Sequence, residues 1–351
     1  MKMEDQAVNT SAIPTKAQHP LGLDTLRRIS KQTNVMRRYL LIRSAGSGGF
    51  ADVFFALPKS ALTFEQVQRA RREDRQVVVD LFPQLVAVKV YKVGRGHTLE
   101  GEICVLRSLR EICALLSLRE MDQQAFPSRC VPMLDHDENR FRWLTTPAYN
   151  GSLSLSSLHS FCLSNGRIMP EELVFHLFIQ IFDSVIFLHK NGIVHRDLYL
   201  GNMMLDLEHQ DYAGFPNVVI IDFGLSKPNQ GTPRGRRKAE QEDCASVCKN
   251  LHILCQVGAC SQHAEQIDPG TCGHSSGWLV FVEFLKDNST FCHYRNLHEL
   301  LKVSGPVAIQ GRGQTTEFKL KIIKDLIESA SRSSIENLEK DLLQVVKIGQ
   351  I

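Results

Sequence analysis

The stretch His195-Arg196-Asp197-Leu198-Tyr199-Leu200-Gly201-Asn202, followed after the apolar run Val218-Val219-Ile220-Ile221 by Asp222-Phe223-Gly224, decides the reading of this chain. It places a carboxylate, an amide and a second carboxylate on polar loops beside short apolar strands. Such a set suits one chemistry: Asp197 to accept or orient the proton of an attacking hydroxyl, and Asn202 with Asp222 to offer oxygens to a hard divalent cation on a phosphate chain.

Two upstream features fit the same chemistry. Gly46-Ser47-Gly48-Gly49-Phe50-Ala51-Asp52-Val53 reads as a turn between two strands, where missing Cβ atoms let main-chain N–H groups approach phosphates. The turn precedes a strand rather than a helix, which disfavours the dinucleotide-binding and Walker patterns. Lys89 lies within the apolar strand Leu85–Tyr91, and a lysine there needs a partner because an unpaired buried ammonium is costly. Glu102 is the expected partner, on a helix from Thr98 to about Leu118 marked by Ile103, Leu106, Leu109, Ile112 and Leu116.

Taken in order, these motifs resemble the signature set of eukaryotic-type protein kinases, over residues 37 to about 250. The resemblance implies a two-lobed α+β fold: a small lobe of antiparallel sheet plus one helix, and a mainly helical large lobe. It implies binding of ATP and Mg²⁺ between them. Gly46, Gly48 and Gly49 would cover the phosphates, and Lys89 would grip them while held by Glu102. Val53, Ala87 and Met204 would enclose the adenine, with Thr146 at the back of its pocket and the Ala148 main chain bonding it. Asp197 would be the catalytic base, Asn202 and Asp222 the metal ligands, and Asp243 the buried brace of the catalytic loop.

Two departures keep other readings open. Tyr199 stands where serine/threonine kinases usually carry a lysine, so one charge on the moving phosphoryl group is missing; Lys227 and Arg234 are candidate replacements. The segment from Asp222 to Asp243 is short and lacks the Ala-Pro-Glu motif of the peptide-docking shelf. The expected function is transfer of the γ-phosphoryl group of ATP to serine or threonine in a protein substrate. An ATP-binding pseudokinase or scaffold, and a small-molecule phosphotransferase of the aminoglycoside or choline kinase type, remain as alternatives.

Around this centre the chain divides into a flexible tail over 1–36, a small lobe over 37–147 with an insertion at 58–84, and a helical lobe over 148–351. The insertion reads as an exposed helix over Phe64–Arg75, with a docking surface for an acidic partner as the sharper possibility. A hairpin is expected over Val131–Leu134 and Phe141–Thr145. A long buried helix opens at Pro170 and ends at Asn191-Gly192, and a capping box at Ser333 and Glu336 opens a last helix.

A net charge of +3 argues against a nucleic-acid binder, and 43% apolar with 23% charged residues suits a globular chain. No uninterrupted apolar run reaches the ~18 residues a membrane span needs. With ten cysteines and no apolar leader, the expected setting is intracellular, cytoplasmic or nuclear, with reduced thiols. Cys244, Cys248 and Cys255 read as core thiols, whereas Cys260, Cys272, His274, Cys292 and His293 are a weak zinc candidate. Thr232 and Ser30 are candidate phosphorylation sites, the first facing Arg196.

Overall fold

The computed structural model describes residues 20–92, 107, 110–118, 130–149, 153–228, 232–256, 274–289, 294 and 297–348. Helix α1 (Leu23–Gln32) precedes strands β1 (Tyr39–Ser47) and β2 (Ala51–Pro58), then helices α2 (Phe64–Arg71) and α3 (Gln76–Leu81) and strand β3 (Val86–Tyr91). Residues 110–118 form α4, followed by β4 (Asp135–His136) and β5 (Trp143–Pro147). The five strands make one antiparallel sheet in the order β1-β2-β3-β5-β4.

The large lobe holds α5 (Leu155–Ser164), α6 (Glu171–Lys190), β6 (Ile193–Val194), β7 (Met203–Asp206), β8 (Asn217–Ile220) and β9 (Lys227–Pro228). Helices α7 (Pro233–Cys255), α8 (Ser276–Asp287), α9 (Leu297–Gly313) and α10 (Glu317–Ile348) complete it. Antiparallel β7–β8 and β6–β9 pairs carry the loops of Asp197 and Asp222 on their ends. Helix α6 has the length and composition of a membrane span, but it is the centre of the core: Leu173, Phe178, Ile181, Phe182 and Val185 are 0% exposed.

Four expectations are corrected. The tail ends earlier than residue 36, because α1 is amphipathic and buries Ile29, with Val35 just after it, against Tyr39, Phe54 and Trp143. Trp143 Nε1 donates to Asn34 Oδ1 at 2.7 Å and Arg142 to the Gln32 carbonyl at 2.8 Å, so polar contacts reinforce the seam. The insertion is two helices: Glu73 turns to a left-handed φ of 63° and Asp74 accepts from the Gln76 N–H, which ends one helix and starts the next. The first strand of the expected hairpin is not Val131–Leu134 but the two residues Asp135–His136, and the turn that follows is shaped by Asp137, which accepts from the N–H groups of Asn139, Arg140 and Arg142. Finally, no helix starts at Ser333; α10 runs unbroken through it.

That last correction has an architectural consequence. The first half of α10 buries Ile323, Leu326 and Ile327 in the large-lobe core. Its second half buries Leu338, Leu342, Val345 and Val346 against Ile42, Phe55 and Leu57 of the sheet and Val67, Ala70, Val77 and Leu81 of the insertion. The boundary at 148 therefore separates the lobes in sequence but not in packing. The apolar side of the insertion is covered by this chain's own α10, and Arg69 is paired with Asp74 and Asp80.

Candidate active site

Alternation along β3 turns Ala87 and Lys89 toward the space between the lobes while Val86, Val88 and Val90 enter the core. There Lys89 Nζ donates to Glu111 Oε2 at 2.6 Å and to Asp222 Oδ1 at 2.7 Å. The Tyr91 hydroxyl adds a second hydrogen bond to Glu111 Oε2, at 2.6 Å. Among the described residues the lysine's carboxylate partners are Glu111 and Asp222; Glu102, the expected partner, lies outside them. A signal for Glu111 exists in the sequence: it recurs with Leu115 and Leu118 at i, i+4 and i+7, putting an acid on the buried face of α4.

Burial works against the charge on Lys89, yet the two carboxylates outweigh it and raise its pKa. Burial likewise pushes Glu111 up, opposed by Lys89. For Asp222 burial also favours the neutral acid, but the Lys89 ammonium and the Gly224 N–H prevail and hold it below the ordinary carboxylate value. Asp222 adopts a left-handed φ of 61°, so that its Oδ1 accepts the Gly224 N–H at 3.2 Å.

The catalytic loop is braced from beneath. Asp243 on α7 is buried and accepts the N–H groups of His195 and Arg196, both at 2.8 Å, together with His189 Nε2 at 2.9 Å. It stabilises Arg196 at a φ of 69°, a costly conformation for a residue with a Cβ. Asn250 adds a second brace, accepting from the Leu200 N–H and donating to the Leu198 carbonyl. Asn202 Nδ2 donates to the Asp197 carbonyl at 2.9 Å and to its Oδ2 at 3.2 Å. This places the Asp197 carboxylate and the amide side by side, with the amide oxygen as the remaining polar atom of the Asn202 side chain. Burial and the nearby Asp222 raise the Asp197 pKa.

Above them the glycine-rich turn is tied at its base. Lys92 Nζ donates to the Gly48 carbonyl at 2.6 Å and pairs with Asp52, which also accepts from Ser47 and from Arg28 of α1. Gly46, Gly48, Gly49, Val53, Ala87, Lys89, Ala148, Asp197, Asn202, Met204 and Asp222 all line one cleft of about 620 Å³. Thr146 lines it as well, from β5. The Ala148 N–H, however, donates to the Leu85 carbonyl at 3.4 Å.

Other expected residues fall elsewhere. Lys227 and Arg234 are exposed and do not line the cleft. Thr232 is the N-cap of α7, accepting from the Gly235 N–H at 3.2 Å, and Ser30 is an exposed position of α1. Of the zinc candidates, His274 hydrogen-bonds Glu171 at 2.5 Å and the others lie outside the described residues; no metal-ligand cluster occurs among the described residues. Cys244, Cys248 and Cys255 are buried thiols of the core.

Comparison with known proteins meets this geometry. Residues 79–245 match the family model described as the protein kinase domain. A 183-residue segment is 28% identical to calcium/calmodulin-dependent protein kinase type 1 of Caenorhabditis elegans, covering 52% of this chain and 41% of that protein. A 165-residue segment is 34% identical to an Aurora kinase of Candida glabrata, covering 46% and 40%. Over 87 residues the chain is 36% identical to nucleosomal histone kinase 1 of Drosophila melanogaster, covering 25% and 13%. The matched segment belongs to the eukaryotic-type protein kinase superfamily. The chain's matches span less than half the length of each of these relatives.

Proposed function

We propose that this chain is an active kinase that transfers the γ-phosphoryl group of ATP to a serine or threonine hydroxyl of a protein. One observation carries the reading: Asp197 and Asn202, locked together at 2.9 and 3.2 Å, share a cleft with the Lys89–Asp222 pair under a glycine-rich turn. A scaffold that has abandoned transfer has no need of the base.

The residues fit a divalent cation. Asp222 commits Oδ1 to Lys89 and Gly224, and Asn202 commits its nitrogen to Asp197, so each keeps one oxygen, the donor type that Mg²⁺ requires. When bound, Mg²⁺ supplies charge neutralisation on the β- and γ-phosphates. Val53, Ala87 and Met204 would enclose the adenine, whose hydrogen bonds would come from the main chain around Pro147–Tyr149 other than the Ala148 N–H, which Leu85 holds. The acceptor oxygen attacks the γ-phosphorus as the bond to the β–γ bridging oxygen breaks. That electron pair leaves on ADP, and the hydroxyl proton passes to Asp197.

A second reading has its own support. Only Leu225 to Thr232 lie between the Asp222-Phe223-Gly224 triplet and the start of α7, so little chain is present to form a peptide-docking shelf. This favours an acceptor presented on a folded surface or a small molecule over an extended peptide. The test is transfer from labelled ATP with Mg²⁺ to protein acceptors, small alcohols and the chain itself, with Asp197→Asn as control. Label on protein that vanishes in the variant supports the first reading; label only on small alcohols selects the second. Absence of all transfer, with nucleotide still bound, identifies a pseudokinase.

A further inference from the structure

The reading above leaves a charge deficit. The cleft is lined by the acids Glu111, Asp197 and Asp222, and Lys89 is already committed to two of them. The position two residues after Asp197, where a lysine is expected, holds Tyr199. Its ring lies along Gly201, so closely that a Cβ there would come within 2.4 Å of Cε2. A neutral ring therefore fills the place of a cation, and Gly201 is the residue that lets it fit.

A second cation does line the cleft. Arg107, just ahead of α4, borders the same cleft as Asp197, with its guanidinium carbon 3.4 Å from the centroid of the Phe50 ring. Phe50 is the tip of the glycine-rich turn, between Gly49 and Ala51. A guanidinium laid flat on an aromatic face keeps its N–H edges free and its plane oriented, which a lysine cannot reproduce. The stack fastens the tip of the turn to the helix side of the cleft and holds a positive fork at its mouth.

Resting on the phosphotransfer reading, we propose that Arg107, presented by Phe50, is the charge-neutralising residue for the transferred γ-phosphoryl group, in place of the lysine that Tyr199 has displaced. The assignment stands on the cleft geometry. As the γ-phosphorus passes from the bridging oxygen of ADP to the acceptor oxygen, the negative charge on its outer oxygens faces the guanidinium. No proton is exchanged with Arg107, which stays charged throughout.

The test uses the whole chain and two readouts. The first is equilibrium binding of Mg²⁺-loaded ADP and of the β,γ-imido analogue of ATP, which needs no acceptor. Arg107→Met should weaken the analogue at least 10-fold while changing ADP less than 3-fold, because only the analogue carries a γ-phosphate. The second is turnover with whichever acceptor the wild type uses. Arg107→Met should lower kcat by about 10²–10³, the loss expected for one electrostatic contributor. Arg107→Lys should recover part of this, and Tyr199→Lys in the Arg107→Met background should recover most of it. Phe50→Ala should give a smaller loss in the same direction. Equal weakening of both nucleotides would make Arg107 a general clamp on the turn and overturn the proposal, as would unchanged binding of both. A wild type that binds neither nucleotide would overturn the phosphotransfer reading and this inference together. One that binds both normally while Arg107→Met behaves identically would overturn this inference alone.

Discussion

In front, the two lobes meet through Lys89 and Asp222, 2.7 Å apart at the edge of a cleft. Behind, they meet through α10, where Leu338, Leu342 and Val346 are shut in against β1, β2 and the insertion helices. The front contact is ionic, directional and open to ligands, so a phosphate or cation can enter by exchanging partners. The rear contact is apolar and non-directional, and each fully buried aliphatic side chain there contributes roughly 1.5–3 kcal/mol. Ala148, at the link between the lobes, touches both, packing on the rear cluster and lining the cleft with Pro147 and Tyr149. Holding the lobes together is thus separated from doing the chemistry, and a change on one face should leave the other largely alone.

The largest effect expected is on the front. Asp222→Asn should reduce phosphotransfer by a factor on the order of 10³ or more, since it removes a cation ligand and a partner of Lys89. Its unfolding free energy in urea should stay within about 1 kcal/mol of wild type, because Lys89 keeps Glu111. A loss of several kcal/mol would show that the front contact carries stability after all, and the comparison would fail.

Next comes the rear. Leu342→Ala should cost about 2–5 kcal/mol, the range for truncating a buried leucine, read by the same urea titration. Phe64→Ala, at a position 69% exposed on the neighbouring helix, should cost close to nothing. If the two variants unfold at the same urea concentration, the rear seam is not the tie argued here.

A smaller effect lies on the rim of that seam. Arg43 and Asp341 join β1 to α10 at 3.1 Å with both side chains partly exposed. Asp341→Asn should cost about 0.2–1 kcal/mol in low salt and less in 0.5 M NaCl, as screening predicts. A cost that survives high salt would count against a surface origin.

The smallest is a single pair at the end of β7, in which an exposed histidine meets a buried aspartate. Asp206 hydrogen-bonds His209 Nδ1 at 2.9 Å and raises its pKa. A raised folded-state value means the pair stabilises fully below the unfolded pKa of about 6.5 and loses that contribution as pH rises through the folded value. Proton NMR should find His209 titrating above 6.5 in the wild type and falling toward it in Asp206→Asn. No movement would show that the contact is not populated in solution.

The motifs around Asp197 and Asp222 were legible because their chemistry is local: a few residues in fixed order on one loop suffice, and Asp243 could be recognised as their brace. The strands β1–β3 announced themselves through β-branched and aromatic runs beside a glycine turn. Glu111 is not singled out by the sequence because helical periodicity defines a face but not how far along the helix the lysine reaches. The folded α1 was missed because Ile29 and Val35 are isolated apolar residues in a polar stretch, and only the presence of Trp143 and Phe54 makes burying them worthwhile. Ser333 with Glu336 satisfied a local rule for starting a helix, yet burial of Leu338, Leu342 and Val346 favours continuing the one already under way.

By itself the sequence determined the two-lobed class of fold, the reactive carboxylates and the amide beside them, since residue type and order carry that information directly. Tertiary structure decided which glutamate holds Lys89, which arginine shares the cleft left short of charge by Tyr199, and how α10 ties the small lobe to the large one. Each is a meeting of segments distant in the chain, selected by the apolar area they bury and the charges they bring within reach of one another, and no local pattern encodes that sum.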